Sequence, residues 1–195
     1  KHILRKRANA YKKRGVTPVI RFVSWVFYMK KRFDELGIPS VLVREGDITL
    51  DPSSRINKVA SLGAKTNDIL ISNHINSGGS KGGEVIYSIR GNNTLPSMIG
   101  KELNKAGVPI RNVYTRRGRT GLDYYFILRQ TAPNNAMIVE YGFADDESDT
   151  YRLIYNWPSL AEATVKAVSD YLGINYSTPN TITYIVKPND SLYKI

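Results

Sequence analysis

Short apolar segments alternate along this chain of 195 residues with segments that have the periodicity of amphipathic helices. This alternation predicts an α/β layered fold with helices on both faces of a sheet, because each connecting helix packs its apolar side against the strands. In such sheets the functional side chains gather at strand ends and in the loops that leave them. We therefore expect the chemistry of this chain to lie where its apolar strands end.

Four segments are predicted as helices from the spacing of their apolar residues and from the residues at their ends. Pro18 and Pro52 fall in the first helical turn, where proline is tolerated, and Asp51 precedes Pro52 as a capping residue. Gly37 and Gly173 end the first and the last helix. The predicted helices cover about residues 18–36, 51–64, 95–106 and 158–172.

Five short segments are predicted as strands because they are apolar runs bounded by turn residues. A sixth segment, residues 116–121, is predicted as a loop from its glycines and its charges. The predicted strands are residues 38–43, 68–72, 83–89, 113–114 and 136–141.

The chain carries a formal net charge of +11, and seven of its first fifteen residues are Lys or Arg. Such a surplus favours anionic partners, which include nucleic acid, anionic membranes and the phosphate-rich polymers of bacterial walls. Nucleic acid is the less favoured partner, because the later basic residues are interspersed with acidic ones and no nucleic-acid-binding motif occurs. No membrane span is predicted, since the apolar run 19–29 is short and contains Arg21. The absence of cysteine excludes disulfides and thiolate metal ligands.

The chain contains two histidines, His2 and His74. His74 is predicted to follow the strand 68–72 and to open a loop of small residues. One interpretation is a histidine that caps the strand end through a hydrogen bond. The other is a ligand or catalytic group, since such residues favour loops on rigid scaffolds. The sequence leaves both interpretations open.

Glu140 lies inside the otherwise apolar segment 136–141. A buried carboxylate is costly unless it is paired, hydrogen-bonded or bound to a cation. An ion pair with Arg44 or Arg55 would satisfy it. Alternatively, Glu140 faces a cleft and acts as a general base, because partial burial raises a carboxyl pKa towards neutrality. Together, His74 and Glu140 suggest metal-assisted hydrolysis, in which a carboxylate accepts a proton from water activated by zinc.

Several segments resemble, in the same order, segments of the zinc-dependent N-acetylmuramoyl-L-alanine amidases of the type-three class, which include bacterial autolysins and phage endolysins. The resemblance covers about residues 18–174 and includes a strand that ends in Arg44 and Asp47. The matching segments read LGIPSVLVREGD, SSRINKVASLGAKTNDILISNHINS, GGEVIYS and TGLDYYFILRQTAPNNAMIVEYGFADDESD.

The resemblance implies a three-layer α/β sandwich around a mixed, mainly parallel sheet. It implies cleavage of the amide bond between the lactyl group of N-acetylmuramic acid and the L-alanine of the stem peptide. His74 would be a zinc ligand and Glu140 the catalytic base, while Asp68 and Asn76 would hold the His74 loop. The implied partners are peptidoglycan and anionic wall polymers, and the implied location is extracellular or in the cell wall, after secretion or phage release.

Two zinc ligands of the family have no evident counterpart here. The family takes a histidine from a Gly-His-Gly loop and a glutamate from the start of the first helix, whereas the glutamate position falls near Thr17 in this chain. His2 lies about as far ahead of the helix as the family histidine and is a candidate zinc ligand. Either the N-terminal strand is missing or replaced, which we expect, or the protein is a relative that binds wall glycan without cleaving it.

The residues from Ile182, ITYIVKPNDSLYKI, resemble the opening of a LysM repeat, a module that binds glycan containing N-acetylglucosamine. Because this module stops partway, we expect the N-terminal region to be incomplete as well. The expected organisation is a basic arm or remnant of the missing strand region (1–17), an amidase catalytic domain (18–174), a linker (175–181) and a truncated LysM start (182–195).

Overall fold

The computed structural model describes residues 18–46 and 48–179, with side chains from Trp25 onward. His2, Asp47, the basic arm and the LysM-like segment lie outside the described residues. The described elements are, in order, α1 (Pro18–Glu35), α2 (Pro52–Ser61), β1 (Ile69–Asn76), β2 (Gly83–Tyr87), α3 (Thr94–Lys105), β3 (Ile110–Tyr114), α4 (Phe126–Arg129), β4 (Asn135–Phe143), α5 (Glu147–Tyr155) and α6 (Trp157–Tyr171).

The described strands form one mixed sheet in the order β1-β4-β2-β3. β4 pairs in parallel with β1 and antiparallel with β2, and β2 pairs in parallel with β3. This arrangement confirms the predicted α/β class with a mixed, mainly parallel sheet. β4 lies between β1 and β2, and its residues 136–143 are buried, as its nearly continuous apolar sequence predicts.

Two hydrophobic cores cover the two faces of the sheet, because successive side chains of a strand point to opposite sides. On the first face, Val85 and Val139 pack with residues of α1, α3 and α6, including Trp25, Ile99 and Leu160. On the second face, strand residues pack with Ile127 and Leu128 of α4. The strand residues of this second core are Leu70, Ile86, Tyr114, Ala136 and Ile138. Helices on both faces make three layers.

The four predicted helices are confirmed to within a few residues at each end. The Asp51 carboxylate accepts the backbone N–H of Ser54 at 3.0 Å and so caps α2, as its position before Pro52 predicts. The short helix α4 and the helix α5 were not predicted. None of the described helices is both long and apolar enough to cross a bilayer.

Two strand predictions are corrected by the structure. Residues 38–43 form no strand. Pro39 has no N–H to donate to a ladder, and Val41 is 66% exposed. The strand predicted over 68–72 extends to Asn76, because its polar residues pair through their backbone with the apolar residues of β4. His74 therefore lies within a strand and not in the loop that follows.

A buried ionic cluster holds the segment 174–179 against the first face. The guanidinium of Arg32, which is 3% exposed, donates to Glu162 at 2.7 Å and to the carbonyl of Ser177 at 2.5 Å. It also donates to Glu35. The hydroxyl of Tyr176 donates to Glu162 at 2.6 Å. Within its described part, the predicted linker is thus attached to the domain.

Candidate functional site

Three polar residues face one another across adjacent strands. His74 of β1 is the register partner of Glu140 of β4, and Glu140 is also the register partner of Glu84 of β2. Strand alternation places all three side chains on the second face, since Leu70, Ile86 and Ile138 of the same strands belong to its core. The structure therefore brings the two sequence-predicted residues together, with Glu84 beside them. We call these three residues the polar row.

The two carboxylates of the polar row lie in different surroundings. Glu140 is 7% exposed, whereas the Glu84 side chain is 13% exposed and pairs with the guanidinium of Arg111 at 3.3 Å. Residues directly opposite in antiparallel strands have Cβ atoms about 5 Å apart, and like charges at that distance repel. The ion pair between Glu84 and Arg111 offsets part of this repulsion, and Glu140 is the more buried of the two acids.

Glu84 was not identified as a site residue from the sequence. The signal was present, because Glu84 interrupts the apolar segment 83–89 in the same way that Glu140 interrupts 136–141. A carboxylate within a strand that is otherwise buried has to be compensated. The burial argument for Glu140, applied to every strand, would have found Glu84 as well.

Tyr114 lies on the second face near the polar row. Burial raises the pKa of its phenol to about 12, with further contributions from the charges of Glu84 and Glu140 and the neighbouring Tyr125. The charge of Arg116 acts in the opposite direction. Tyr114 therefore remains a neutral hydroxyl at physiological pH, placed between an acidic pair and a basic loop.

Two aspartates fix the loop that follows β1. The Asp145 carboxylate accepts the N–H groups of Gly78 and Gly79 at 2.9 and 2.8 Å. The buried Asp149 carboxylate accepts the N–H of Gly82 at 2.6 Å and that of Phe143 at 2.8 Å. These bonds join the loop after His74 to the end of the strand that carries Glu140.

Asn76 and Asp68, the two residues expected to hold the His74 loop, lie at opposite ends of β1. The side chain of Asn76 accepts the N–H of Ser77 at 2.8 Å, and the Asn76 carbonyl accepts the N–H of Ala144 at 2.9 Å, so Asn76 does fix the start of this loop. Asp68 accepts the N–H of Lys65 at 2.7 Å, before the other end of β1. The prediction for Asp68 is wrong, because the strand is longer than expected and puts Asp68 at the far end.

Arg44 and Arg55, which the sequence offered as ion-pair partners for Glu140, both contact backbone carbonyls. Arg44 donates to Ile48 at 3.4 Å and Arg55 donates to Leu50 at 3.1 Å. Burial, followed by the charge of Arg44, lowers the pKa of the Arg55 guanidinium. The two arginines thus support the chain just before α2.

The described residues do not make a complete zinc site. A catalytic zinc ion takes three protein ligands, and residues 18–46 and 48–179 contain no group of three or more His, Asp or Glu side chains placed to hold a metal ion. His74 is the sole imidazole of this part of the chain. The zinc-ligand roles of His74 and of His2, and the catalytic role of Glu140, stay predictions.

The fold and the site define a three-layer α/β domain with an imidazole and two carboxylates in neighbouring register positions on one face of a mixed sheet. Residues 23–170 match the model of the Amidase_3 family, described as N-acetylmuramoyl-L-alanine amidase. The chain belongs to this family. A comparison with curated proteins found no match.

Three solved structures illustrate the likeness. Cwp6 from Clostridium difficile has a TM-score of 0.69 at 22% identity over 77% of this chain, which spans 24% of the length of Cwp6. The catalytic domain of CwlV, an N-acetylmuramoyl-L-alanine amidase from Bacillus (Paenibacillus) polymyxa, has a TM-score of 0.67 at 19% identity, with 80% of this chain and 85% of that one covered. The amidase AmiC2 of Nostoc punctiforme has a TM-score of 0.63 at 21% identity, with 77% and 83% covered. At these identities the likeness establishes the fold.

Proposed function

We propose that this domain is a peptidoglycan hydrolase that cleaves the amide bond between N-acetylmuramic acid and L-alanine. The observation that carries the proposal is the polar row, in which His74 and Glu140 are register partners on the same face of the sheet. Membership of the amidase family supports the reaction type. If the side chains of His74 and Glu140 lay on opposite faces, the sheet itself would separate them.

In this proposal Glu140 is the general base that takes a proton from the attacking water. Its position favours this role, since Glu140 is 7% exposed and is the register partner of His74. His74 is a zinc ligand, and zinc, when bound, would polarise the amide carbonyl and lower the pKa of a coordinated water. The further ligands belong to residues outside the described part, with His2 as one candidate.

The polar row contains a second acid with a different part to play. Glu84 pairs with Arg111 and lies beside Glu140, where its carboxylate offers an acceptor for a substrate N–H. Asp145 and Asp149 keep the loop after His74 in place. The described residues thus hold the base and orient one side of the substrate.

A non-catalytic relative that binds wall glycan is the second candidate function. The observation in its favour is the absence, within residues 18–46 and 48–179, of a group of three metal-binding side chains. In this case the polar row would bind polar groups of the glycan peptide, and nothing would be cleaved.

The proposed partners are peptidoglycan and anionic wall polymers, which the net charge of +11 favours. The proposed location is outside the cell or in its wall, after secretion or phage release. In the proposed organisation, residues 18–174 are the catalytic domain, 1–17 are a basic arm or remnant, 175–181 are a linker and 182–195 begin a LysM module.

Replacing Glu140 by Gln tests the proposal. Release of L-alanyl peptides from purified peptidoglycan should fall by a factor of about 10² to 10⁴, the usual contribution of a general base, while sedimentation with peptidoglycan should persist. Glu102→Gln is the matched control, because Glu102 is a partly buried glutamate on the first face that pairs with Lys105 at 2.6 Å. Its turnover should match the parent chain.

Zinc content separates the two candidate functions. It should be measured by elemental analysis for residues 1–195 and for the same chain extended upstream in its natural gene. Zinc near one equivalent, with turnover, in either form supports the amidase. If both forms lack zinc and turnover, the result supports the binding relative. Unchanged turnover in Glu140→Gln would contradict the proposed role of Glu140.

A further inference from the structure

The loop between β3 and α4 carries three arginines close together, Arg116, Arg117 and Arg119. All three are exposed, and none forms a salt bridge within the described ranges 18–46 and 48–179. Arg32 and Arg111, by contrast, pair with carboxylates, whereas Arg117 donates to the carbonyl of Gly121 at 2.8 Å. We call residues 115–125 the arginine loop.

Arg116 is held in a defined orientation by two tyrosines. Its guanidinium carbon lies 4.1 Å from the ring centroid of Tyr124 and 5.9 Å from that of Tyr125. One terminal nitrogen lies 3.4 Å from the Tyr125 hydroxyl. The Tyr125 hydrogen bond raises the pKa of this guanidinium further. A stacked guanidinium loses less freedom on binding, and its planar fork matches a carboxylate.

The arginine loop is fixed to the second face. The buried Asp123 carboxylate accepts the hydroxyl of Ser88 at 2.7 Å and the N–H of Ile89 at 3.0 Å, just after β2. The Arg129 guanidinium donates to the carbonyls of Asp123 and Tyr124 at 2.6 and 2.9 Å. The side chain of Asp123 therefore holds the loop to the end of β2, and Arg129 of α4 holds its backbone.

Tyr114 connects this loop to the polar row. Tyr114 and Tyr125 pack against the same core of the second face. The charges of Glu84 and Glu140 also contribute to the raised pKa of Tyr114. An anionic ligand beside the polar row would be repelled by the carboxylate of Glu140, whereas that of Glu84 is paired with Arg111. The arginine loop supplies the compensating positive charge on the same face.

We infer that Arg116 binds a free carboxylate of the stem peptide, on the residue that follows the L-alanine of the scissile bond. The arginine loop thus selects stem peptides whose second residue carries an ionised α-carboxyl over those in which it is amidated. This inference deepens the proposed function, and it concerns binding, which can be measured without turnover. The competing source of the same anionic chemistry is a wall polymer phosphate.

The test compares two probes of nearly equal size, N-acetylmuramoyl-L-alanyl-D-glutamate and N-acetylmuramoyl-L-alanyl-D-isoglutamine. Their Kd values are measured by calorimetry in the Glu140→Gln background, so that neither probe is hydrolysed. The acid should bind roughly tenfold more tightly, the effect of one charge-assisted hydrogen bond. Arg116→Ala should reduce the preference to less than about twofold, whereas the exposed first-face control Lys101→Ala should keep it.

Equal Kd values for the two probes, or a preference that survives Arg116→Ala, would overturn the inference. Glycerol phosphate and a glycerol phosphate oligomer form the second arm. If they bind through Arg116 more tightly than the acid probe, the loop is a phosphate site and the inference fails. A tenfold preference in a chain that never cleaves peptidoglycan supports the inference and contradicts the amidase proposal alone.

Discussion

Asp149 lies where the end of β4, the start of α5 and the loop before β2 meet. One of its carboxylate oxygens accepts the N–H groups of Gly82 and Phe143, and the other pairs with Arg152 at 2.5 Å. The side chain is 2% exposed. Because Asp149 joins the start of β2 to the end of β4, it fixes the relative position of the strands that carry Glu84 and Glu140.

Replacing Asp149 by Asn should destabilise the fold by about 3 kcal/mol, the usual cost of breaking a buried charged pair. The asparagine amide has one acceptor oxygen, so its NH₂ group must face either two backbone donors or Arg152. Urea denaturation measures the change. The control is Asp170→Asn, which removes an exposed helical pair with Lys166 and should cost less than about 0.5 kcal/mol. Equal losses in the two variants would contradict the assignment.

The residues of the site differ in how far the sequence could reveal them. Glu140 could be found because a carboxylate in an apolar strand needs compensation, and Glu84 obeys the same rule. His74 could be found because the chain has only two histidines and this one follows an apolar segment predicted as a strand. The role that we infer for Arg116 could not be found from the sequence. It depends on the contact with Tyr124 and on the bonds that hold the arginine loop to the end of β2.

At the scale of elements, β2 starts where the chain passes very close to its neighbours. A Cβ atom added at Gly83 would lie 2.8 Å from Val108 Cγ1, 3.0 Å from Ile110 Cδ1 and 3.1 Å from the Glu140 carbonyl oxygen. The absence of a side chain therefore allows β2 to approach both β3 and the backbone of the residue that we propose as the base.

Gly83→Ala should lower the free energy of unfolding by roughly 1–3 kcal/mol, because the added methyl group forces the neighbouring strands apart. The peptide release that we propose should fall as well, since Glu140 shifts with its backbone. Gly118→Ala is the control, because nothing lies within 3.5 Å of its added Cβ: Leu122 O and Tyr124 Cα are both at 3.6 Å. Thermal unfolding of both variants measures the effect. A Gly83 variant as stable as the Gly118 variant would show that the sheet adjusts freely.

Helices whose caps and apolar spacing can be read from neighbouring residues were predicted well. Strands, whose extent depends on the strand they pair with, were predicted less well. The caps of α2 and the apolar spacing of α1 are local, so their bounds followed from the sequence. Residues 38–43 have the composition of a strand, but composition supplies no pairing partner. β1 was predicted too short because Asn73 and His74 are polar, although the ladder uses only their backbone.

At the scale of the whole molecule, the part of the chain that the structure describes contains four tyrosines whose phenol pKa is raised by folding. Burial is the first cause at each of them: Tyr28, Tyr114, Tyr141 and Tyr176. The pKa reaches about 12 at Tyr114 and Tyr176. The folded protein therefore holds these protons more tightly than the unfolded chain, whose tyrosines titrate near about 10.

Stability should consequently fall as the pH rises from about 10 to 12. A group with a raised folded pKa contributes its full stability below the unfolded pKa and loses it as the pH passes through the folded value. Urea midpoints measured from pH 8 to 11.5 should decline above pH 10. Tyr176→Phe should decline less steeply, whereas Tyr151→Phe, at a position 59% exposed, should follow the parent. A midpoint that stays constant to pH 11.5 would contradict this prediction.

The layered architecture followed from the alternation of helices and strands, but the strand order did not. Placing β4 between β1 and β2 requires pairings between segments far apart in the chain, such as Ile69 with Asn135. No local pattern specifies such pairings. The zinc site that we propose was likewise beyond a local pattern, because residues 18–46 and 48–179 hold no group of three possible ligands and His2 lies outside these ranges.

The attachment of the segment 174–179 by Arg32 has a practical consequence for engineering. A fluorescent reporter or a second binding domain joined after Pro179 would leave the protein from the side of the sheet turned away from Glu84 and Glu140. Its bulk would therefore lie away from the polar row, and such a fusion is a suitable tool for following the protein by microscopy while this face stays accessible.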